Sequence, residues 1–262
     1  MVIDILIVVA VVWLFAASFT DLKKREVSDW LSFSLIAIAL SIRSAESIIQ
    51  WDPVPILTSL SGLVVFFIIA MAMYYGKLFA GGDVKLLTAL GAVIPSFSFL
   101  SNILIAGSVY GLVYSLVLAL INFKDFYSEL RKNKKLFLIS LLLSLLFFAG
   151  YAITSNIFIL LILVSALAIT LILIFVNSVE KSCLIKKVNP SKLTEGDWLL
   201  KDVKVRGNVV KASFEGLTRK EIAMIKASGK KVFVKYGIPF IPVFLMALLI
   251  TVFFGNIFMI FI

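Results

Sequence analysis

Long uninterrupted apolar runs, separated by short polar stretches, dominate the chain. Eight of them lie at residues 2–19, 30–42, 56–75, 84–94, 99–123, 136–153, 157–176 and 239–262. Most approach the ~20 residues that a helix needs to cross the ~30 Å hydrocarbon core of a bilayer. Because a spanning segment must satisfy its own backbone hydrogen bonds, the pattern predicts an all-α polytopic membrane protein with about eight transmembrane helices.

One polar stretch, residues 179–237, is long enough to fold outside the membrane. Within it, the alternating pattern of DVKVRGNVVKASF predicts two strands joined near Gly207 and Asn208. The stretch TRKEIAMIKASG predicts a helix that begins with a capping box of Thr218 and Glu221 and stops at a glycine. KKVFVKYG predicts a third strand. The segment is therefore expected to be a small α+β insert.

These patterns divide the chain into three parts. We predict a transmembrane core at residues 1–178, the α+β insert at residues 179–237 and a C-terminal transmembrane helix at residues 238–262.

Basic residues are distributed unevenly between the two sides of the predicted topology. With eight spans and the N-terminus outside, all of the 25 Lys and Arg residues except Arg43 fall on the inside. The positive-inside rule therefore predicts a cell-membrane protein whose insert is cytoplasmic. The same topology accounts for the net charge of +10, so an anionic lipid surface is expected as the electrostatic partner rather than nucleic acid. Three tryptophans are typical of interfacial belts: Trp13, Trp30 and Trp51.

The composition excludes several kinds of catalytic site. The chain has no histidine and one cysteine, Cys183. This excludes zinc sites of the His-Glu type, Ser-His-Asp triads, Cys-His pairs and a disulfide. The stretch AGGDVK lacks the spacing of a phosphate-binding loop. No metal or cofactor is therefore expected, and carboxylates are the remaining candidates for chemistry.

Two aspartates, Asp21 and Asp83, stand apart because each lies at the inner end of an apolar run. Ionised groups within a membrane segment are costly and are candidates for function by default. Two carboxylates at neighbouring helix ends could share one proton, and so supply both a base and an acid to a water between them. An alternative is that Asp83 only caps the fourth helix. A helix N-terminus favours the anion of Asp83 and a helix C-terminus the acid of Asp21, while nearby basic residues oppose the second effect. The location of the proton stays open.

The residues around both aspartates resemble a known family. DLKKREVSDWL at residues 21–31 and AGGDVKLLTALGA at residues 80–92 resemble the two motifs of the type IV prepilin peptidases, which are intramembrane aspartyl proteases of the Gly-x-Gly-Asp type. YGIPFIPVFL and GLTRKEI resemble the archaeal branch, the preflagellin (archaellin) peptidases. The resemblance implies that Asp21 and Asp83 are catalytic. It also implies that the enzyme removes a short basic leader from pilin-like or archaellin precursors at the cytoplasmic membrane face, without a cofactor.

The resemblance also identifies supporting residues and departures. Motif residues that would support the pair are Gly81, Gly82, Lys85, Arg25, Glu26 and Asp29. Asp29 is also expected as an N-cap of the second span, and Lys85 as a snorkelling side chain. Ala80 replaces the first motif glycine, and the hydrophobic hairpin at residues 136–176 is additional to a six-span core.

Other functions are compatible with the same residues. A secondary transporter or channel could use Asp83 at a broken helix as a proton or cation site. A presenilin-like protease would cut other substrates, and a non-catalytic pilus-assembly scaffold would need neither aspartate.

Overall fold

A computed structural model describes residues 2–205, 208–213 and 215–260. Most of them are helical. In chain order the α-helices are α1 (Val2–Lys24), α2 (Asp29–Gln50), α3 (Val54–Tyr75), α4 (Gly81–Val93), α5 (Phe97–Ile121), α6 (Phe123–Lys132), α7 (Lys134–Thr154), α8 (Ile157–Val179), α9 (Arg219–Ser228) and α10 (Ile241–Phe254).

Six helices of the described chain are long and apolar enough to cross a membrane: α1, α2, α3, α5, α7 and α8. Helices α4 and α10 are also apolar but have only 13 and 14 residues. At ~1.5 Å per residue, neither would cross the hydrocarbon core alone. The predicted all-α polytopic membrane fold is confirmed, and the eight apolar runs correspond to six full-length helices and two short ones.

The chain folds as two compact units. One contains Met1–Leu112 and Ile238–Ile262, and the other contains Val113–Gly237. The division drawn from hydropathy, at residues 1–178, 179–237 and 238–262, stays a prediction.

In the first unit, α4 packs most closely on α3 and also contacts α2 and α1. The approach of α3 and α4 depends on Gly62 and Gly91, whose backbones touch: a Cβ on Gly91 would lie 2.6 Å from the carbonyl oxygen of Gly62. At the same level the buried Ser59 hydroxyl donates a hydrogen bond of 2.6 Å to the carbonyl oxygen of Ala92. Two small residues and one buried hydrogen bond therefore fix the position of α4.

Helix α10 is held in the same unit by a buried amide. The Asn102 side chain of α5 donates to the Gly255 carbonyl oxygen at 2.7 Å and to the Thr251 hydroxyl at 2.9 Å. Its oxygen accepts the backbone N–H of Ile257 at 3.2 Å. Because the last carbonyls of a helix have no partner within it, Asn102 stabilises the end of α10.

The second unit contains an exposed hairpin of α7 and α8 and the small insert. The strands are β1 (Ile185–Val188), β2 (Trp198–Leu199), β3 (Val203–Val205), β4 (Asn208–Val210) and β5 (Val232–Lys235). Strand β5 lies between β1 and β2 in an antiparallel sheet, and β3 pairs with β4. The predicted α+β character is confirmed, and β1 and β2 were missed. The turn predicted near Gly207 and Asn208 falls on residues 206–207, which lie outside the described residues.

The insert has its own apolar core, which includes Ile225 of α9 and Val234 of β5, both fully buried. The predicted cap of α9 is present: the Glu221 carboxylate accepts the backbone N–H of Thr218 at 2.9 Å. The backbone N–H of Glu221 donates in return to the Thr218 hydroxyl. Gly229 ends the helix with a φ of 65°, a conformation that favours glycine.

Candidate active site

Asp21 lies in the last turn of α1, with its side chain buried and 7% exposed. Its Oδ2 accepts the backbone N–H of Ile241 at 3.0 Å, and the N–H of Phe240 lies close enough to the carboxylate to act on its charge. Both donors lie at the start of α10, where backbone N–H groups have no partner within the helix. Asp21 therefore caps a helix that lies 220 residues away in sequence.

The local sequence of α10 explains why these donors face Asp21. Pro239 precedes the helix and Pro242 is its second residue, and neither has an N–H. Phe240 and Ile241 supply the N–H groups between the prolines, and the next N–H, on Val243, bonds to the Phe240 carbonyl at 2.9 Å. The start of α10 thus directs the N–H groups of Phe240 and Ile241 towards one carboxylate.

Asp83 is the third residue of α4 and is half-buried. Its Oδ2 accepts the backbone N–H of Ala80 at 2.9 Å, so the expected capping role of Asp83 is present. Ala80 has φ −83° and ψ 166°, an extended conformation that any residue adopts. The alanine that replaces the first motif glycine therefore has no backbone penalty at this position.

The two motif glycines differ in their surroundings. A Cβ on Gly82 would lie 3.3 Å from Cβ of Val27, in the segment between α1 and α2. A Cβ on Gly81 would meet no atom within 4 Å, and this residue is exposed. Packing within the chain thus favours glycine at position 82 and leaves position 81 unconstrained.

The structure brings Asp21 and Asp83 close enough for the charge of Asp21 to act on the carboxyl of Asp83. They come together because α1 and α4 pack against each other. The positive charge of Arg25, the first residue after α1, acts on Asp21. Glu26 follows it and is exposed. In the structure each carboxylate lies at a helix N-terminus: Asp83 at the start of α4 and Asp21 at the start of α10. The sequence placed Asp21 at a helix C-terminus only, since nothing near it indicates α10.

Lys85 and Asp29 form an ion pair, with the Lys85 Nζ 2.6 Å from Oδ1 of Asp29. Both side chains are substantially exposed, at 42% and 61%. The expectation that Asp29 caps the second span is wrong, because Ser28 occupies the N-cap position and Asp29 is the first helical residue. This contact joins α4 to the start of α2, and the snorkelling of Lys85 stays a prediction.

The arrangement of the two carboxylates indicates which kind of catalysis the site could support. Among the described residues, no group of three or more His, Cys, Asp or Glu side chains is placed to hold a metal ion. Two neighbouring carboxylates, each with an oxygen fixed by a backbone N–H, are instead suited to acid–base catalysis on a water molecule. The site is thus that of a candidate membrane-embedded aspartyl hydrolase.

Residues 8–116 match the model of the type IV leader peptidase family. A preflagellin peptidase of Methanococcus voltae is 34% identical over 86 residues, which are 33% of this chain and 36% of that protein. For a preflagellin peptidase of Methanocaldococcus jannaschii the identity is 33% over 91 residues, 35% of this chain and 38% of the relative. A prepilin peptidase of Methanothermobacter thermautotrophicus is 30% identical over 109 residues, 39% of this chain and 28% of the relative. No solved structure matches the chain.

The resemblance to type IV leader peptidases is therefore confirmed for the N-terminal region, which contains both Asp21 and Asp83. Together with the six apolar helices it makes the chain a multi-pass membrane protein. The chain spans a little over a third of the length of the preflagellin peptidases it matches. The α7–α8 hairpin and the insert lie outside the matched residues.

Proposed function

We propose that the protein is an aspartyl endopeptidase that removes the short basic leader from type IV pilin-like or archaellin precursors at the cytoplasmic membrane face. The observation that carries the proposal is the pairing of Asp21 with Asp83 on helices α1 and α4. The similarity of this region to archaeal preflagellin and prepilin peptidases supports the reaction and the class of substrate.

In this proposal the two carboxylates share one proton and hold a water between them. The ionised carboxylate takes a proton from the water as its oxygen attacks the scissile carbonyl carbon, and the protonated carboxyl gives its proton to the carbonyl oxygen. Collapse of the tetrahedral intermediate breaks the C–N bond and returns a proton to the leaving amine. The backbone N–H groups of Ile241 and Ala80 each hold one carboxylate in place during these transfers.

The substrate would reach the site at the junction of its leader and its apolar helix. A bond inside an intact transmembrane helix is protected by the i to i+4 hydrogen bonds, whereas an unwound junction exposes its carbonyl. The residue before the cut is expected to be small, and glycine is favoured because a residue without a Cβ lets an extended backbone approach the carboxylates closely. The open space over Gly81 supports such an approach, since packing within the chain does not use it.

The remaining motif residues are assigned supporting roles. Gly82 allows Val27 to pack against the start of α4, and the Lys85–Asp29 ion pair joins that start to α2. Arg25 is proposed to act on the dyad through its charge, and Glu26 to meet the basic leader from the exposed segment between α1 and α2.

The decisive experiment incubates the purified protein with a precursor that carries a basic leader and compares Asp21→Asn and Asp83→Asn with wild type. Both variants should insert and fold normally, because an asparagine oxygen still accepts the capping N–H, yet both should lose cleavage. Asp29→Asn is the matched control and should keep measurable activity. A loss of only a few-fold in either dyad variant would refute the mechanism and leave a scaffold or a transporter. Efficient cutting deep within the apolar helix, read by mass spectrometry, would favour a presenilin-like protease.

The proposed orientation places the N-terminus outside and residues 179–237 in the cytoplasm. In a Cys183→Ser background, single cysteines introduced at residues 124–135 and 179–237 should react with a membrane-impermeant reagent from the cytoplasmic side only. A cysteine at Ser155, between α7 and α8, should react from outside. Cytoplasmic labelling at Ser155 would show that α7 and α8 do not cross the membrane.

A further inference from the structure

The short helix α6 lies between two segments that are suited to cross a membrane. Helix α5 ends at Ile121 and α7 begins at Lys134, and both are long and apolar enough to span. Helix α6 has 10 residues and cannot cross. Since it joins the end of one span to the start of the next, α6 lies at the level of the membrane surface.

The two faces of α6 differ in the way typical of helices at that surface. Phe123, Phe126, Tyr127 and Leu130 recur at helical spacing on one face. The Phe126 ring packs against Phe175 of α8 at a centroid distance of 5.7 Å, which fixes α6 to the hairpin. Phe123 and Tyr127 stack at 6.0 Å and remain exposed. Exposed aromatic rings beside a spanning helix are typical of the headgroup region.

The adjoining side of α6, which shares Tyr127 with the aromatic face, opens into a cavity of about 450 Å³ that is lined by Lys124, Tyr127, Ser128, Arg131, Lys132 and Lys134. Among the described residues Lys132 pairs with Glu129, whereas Lys124 and Lys134 form no ion pair. The Arg131 guanidinium lies over the Tyr127 ring at 5.7 Å and is held there. The cavity therefore has an excess of positive charge, with two hydroxyl groups beside it.

We propose that this cavity binds the phosphate headgroup of an anionic membrane lipid. Lysine and arginine donate strong hydrogen bonds to phosphate oxygens. Basic clusters just outside a spanning helix attract anionic lipid headgroups, and this one directly precedes α7. A lipid is favoured as the occupant because the acyl chains of a bound headgroup would lie along the exposed apolar surface of α7. The proposal uses no residue of the candidate active site and does not depend on the proposed function.

The test measures phosphatidylglycerol binding to the full-length protein in detergent by native mass spectrometry. The variant Lys124→Gln/Arg131→Gln/Lys134→Gln should weaken phosphatidylglycerol binding at least fivefold. A control with the same loss of charge, Lys220→Gln/Lys226→Gln/Lys231→Gln in and after α9, should bind as wild type does. Lys124→Arg/Lys134→Arg should retain binding, which shows that charge at the cavity is what matters.

Three results would overturn the proposal. Equal loss in the cavity variant and the control variant would indicate a general charge effect. Equal affinity of the wild type for phosphatidylcholine would show that the anionic headgroup is not recognised. Displacement of the lipid by inorganic phosphate, but not by chloride at matched ionic strength, would indicate a site for free phosphate. Unchanged thermal unfolding of the cavity variant is required for each comparison.

Discussion

Replacing Gly91 with alanine tests whether the position of α4 depends on its contact with α3. A Cβ at position 91 would lie 2.5 Å from Cβ of Phe66 and 2.6 Å from the carbonyl oxygen of Gly62. These distances are about 1 Å short of ordinary van der Waals contact, and one of the obstructing groups is backbone. The helices must therefore separate to admit the methyl group.

The magnitude follows from two opposing terms. Overpacking of this kind costs ~1–3 kcal/mol, whereas alanine gains ~1 kcal/mol over glycine in a helix interior. The net loss of stability is expected to be about 0–2 kcal/mol, so the variant should still fold. The effect on catalysis should be larger, because Asp83 is on α4 and a misplacement of ~1 Å can lower a rate about 100-fold.

The assay combines thermal unfolding in detergent with the rate of precursor cleavage. Gly111→Ala in α5 is the control, because a Cβ there meets nothing within 4 Å. It should leave both quantities unchanged or raise stability slightly. If Gly91→Ala matches this control in stability and in cleavage, the close contact of α3 with α4 does not position the site.

Two further predictions concern single contacts. Lys85→Met and Asp29→Asn should each keep measurable cleavage and lower stability by less than ~1 kcal/mol, because an ion pair this exposed is largely screened; a complete loss of cleavage in either would give the pair a catalytic role. Hydrogen bonds from Thr218 hold the pKa of Glu221 below its usual value of 4.5, so its stabilising effect is present above that value and is lost as the pH falls through the lowered pKa. The protection factors for amide hydrogen exchange in α9, which are corrected for the intrinsic pH dependence of exchange, should therefore fall on acidification in the wild type and stay constant in Glu221→Gln.

The sequence predicted the features that depend on local patterns. Apolar runs of ~20 residues define spanning helices because the bilayer fixes their length, and the cap of α9 follows from Thr218 and Glu221 alone. Strands β1 and β2 were missed because they have four and two residues and are defined by pairing with β5. The environment of Trp13 likewise depends on a contact with another helix, which local sequence does not reveal. The belt interpretation ignored that its indole N–H, half-way along α1, donates to the Ser34 hydroxyl of α2 at 2.8 Å.

The candidate site divides in the same way. The pairing of Asp21 with Asp83 could be predicted, because both residues lie at the inner ends of apolar runs, on the same predicted membrane face. The backbone N–H groups that bond to the two carboxylates differ in how far they can be predicted from the sequence. The bond from Ala80 to Asp83 lies within one turn, whereas the bond from Ile241 of α10 to Asp21 joins residues 220 positions apart. No pattern around Asp21 encodes that contact, although the two prolines of α10 indicate a helix start with few free donors.

The contact between α10 and Asp21 changes the electrostatic argument for the pair. The N-termini of α4 and α10 favour both anions, although Asp21 also lies at the C-terminal end of α1, which favours its acid. Two neighbouring negative charges also oppose each other. Each carboxylate has room for about four hydrogen bonds, so the capping N–H groups leave lone pairs to receive a shared proton and a water. In the proposed mechanism the caps hold the two side chains in place and leave a shared proton free to move between them. Such an arrangement can alternate acid and base roles within one turnover, and its titration would belong to the pair rather than to either aspartate.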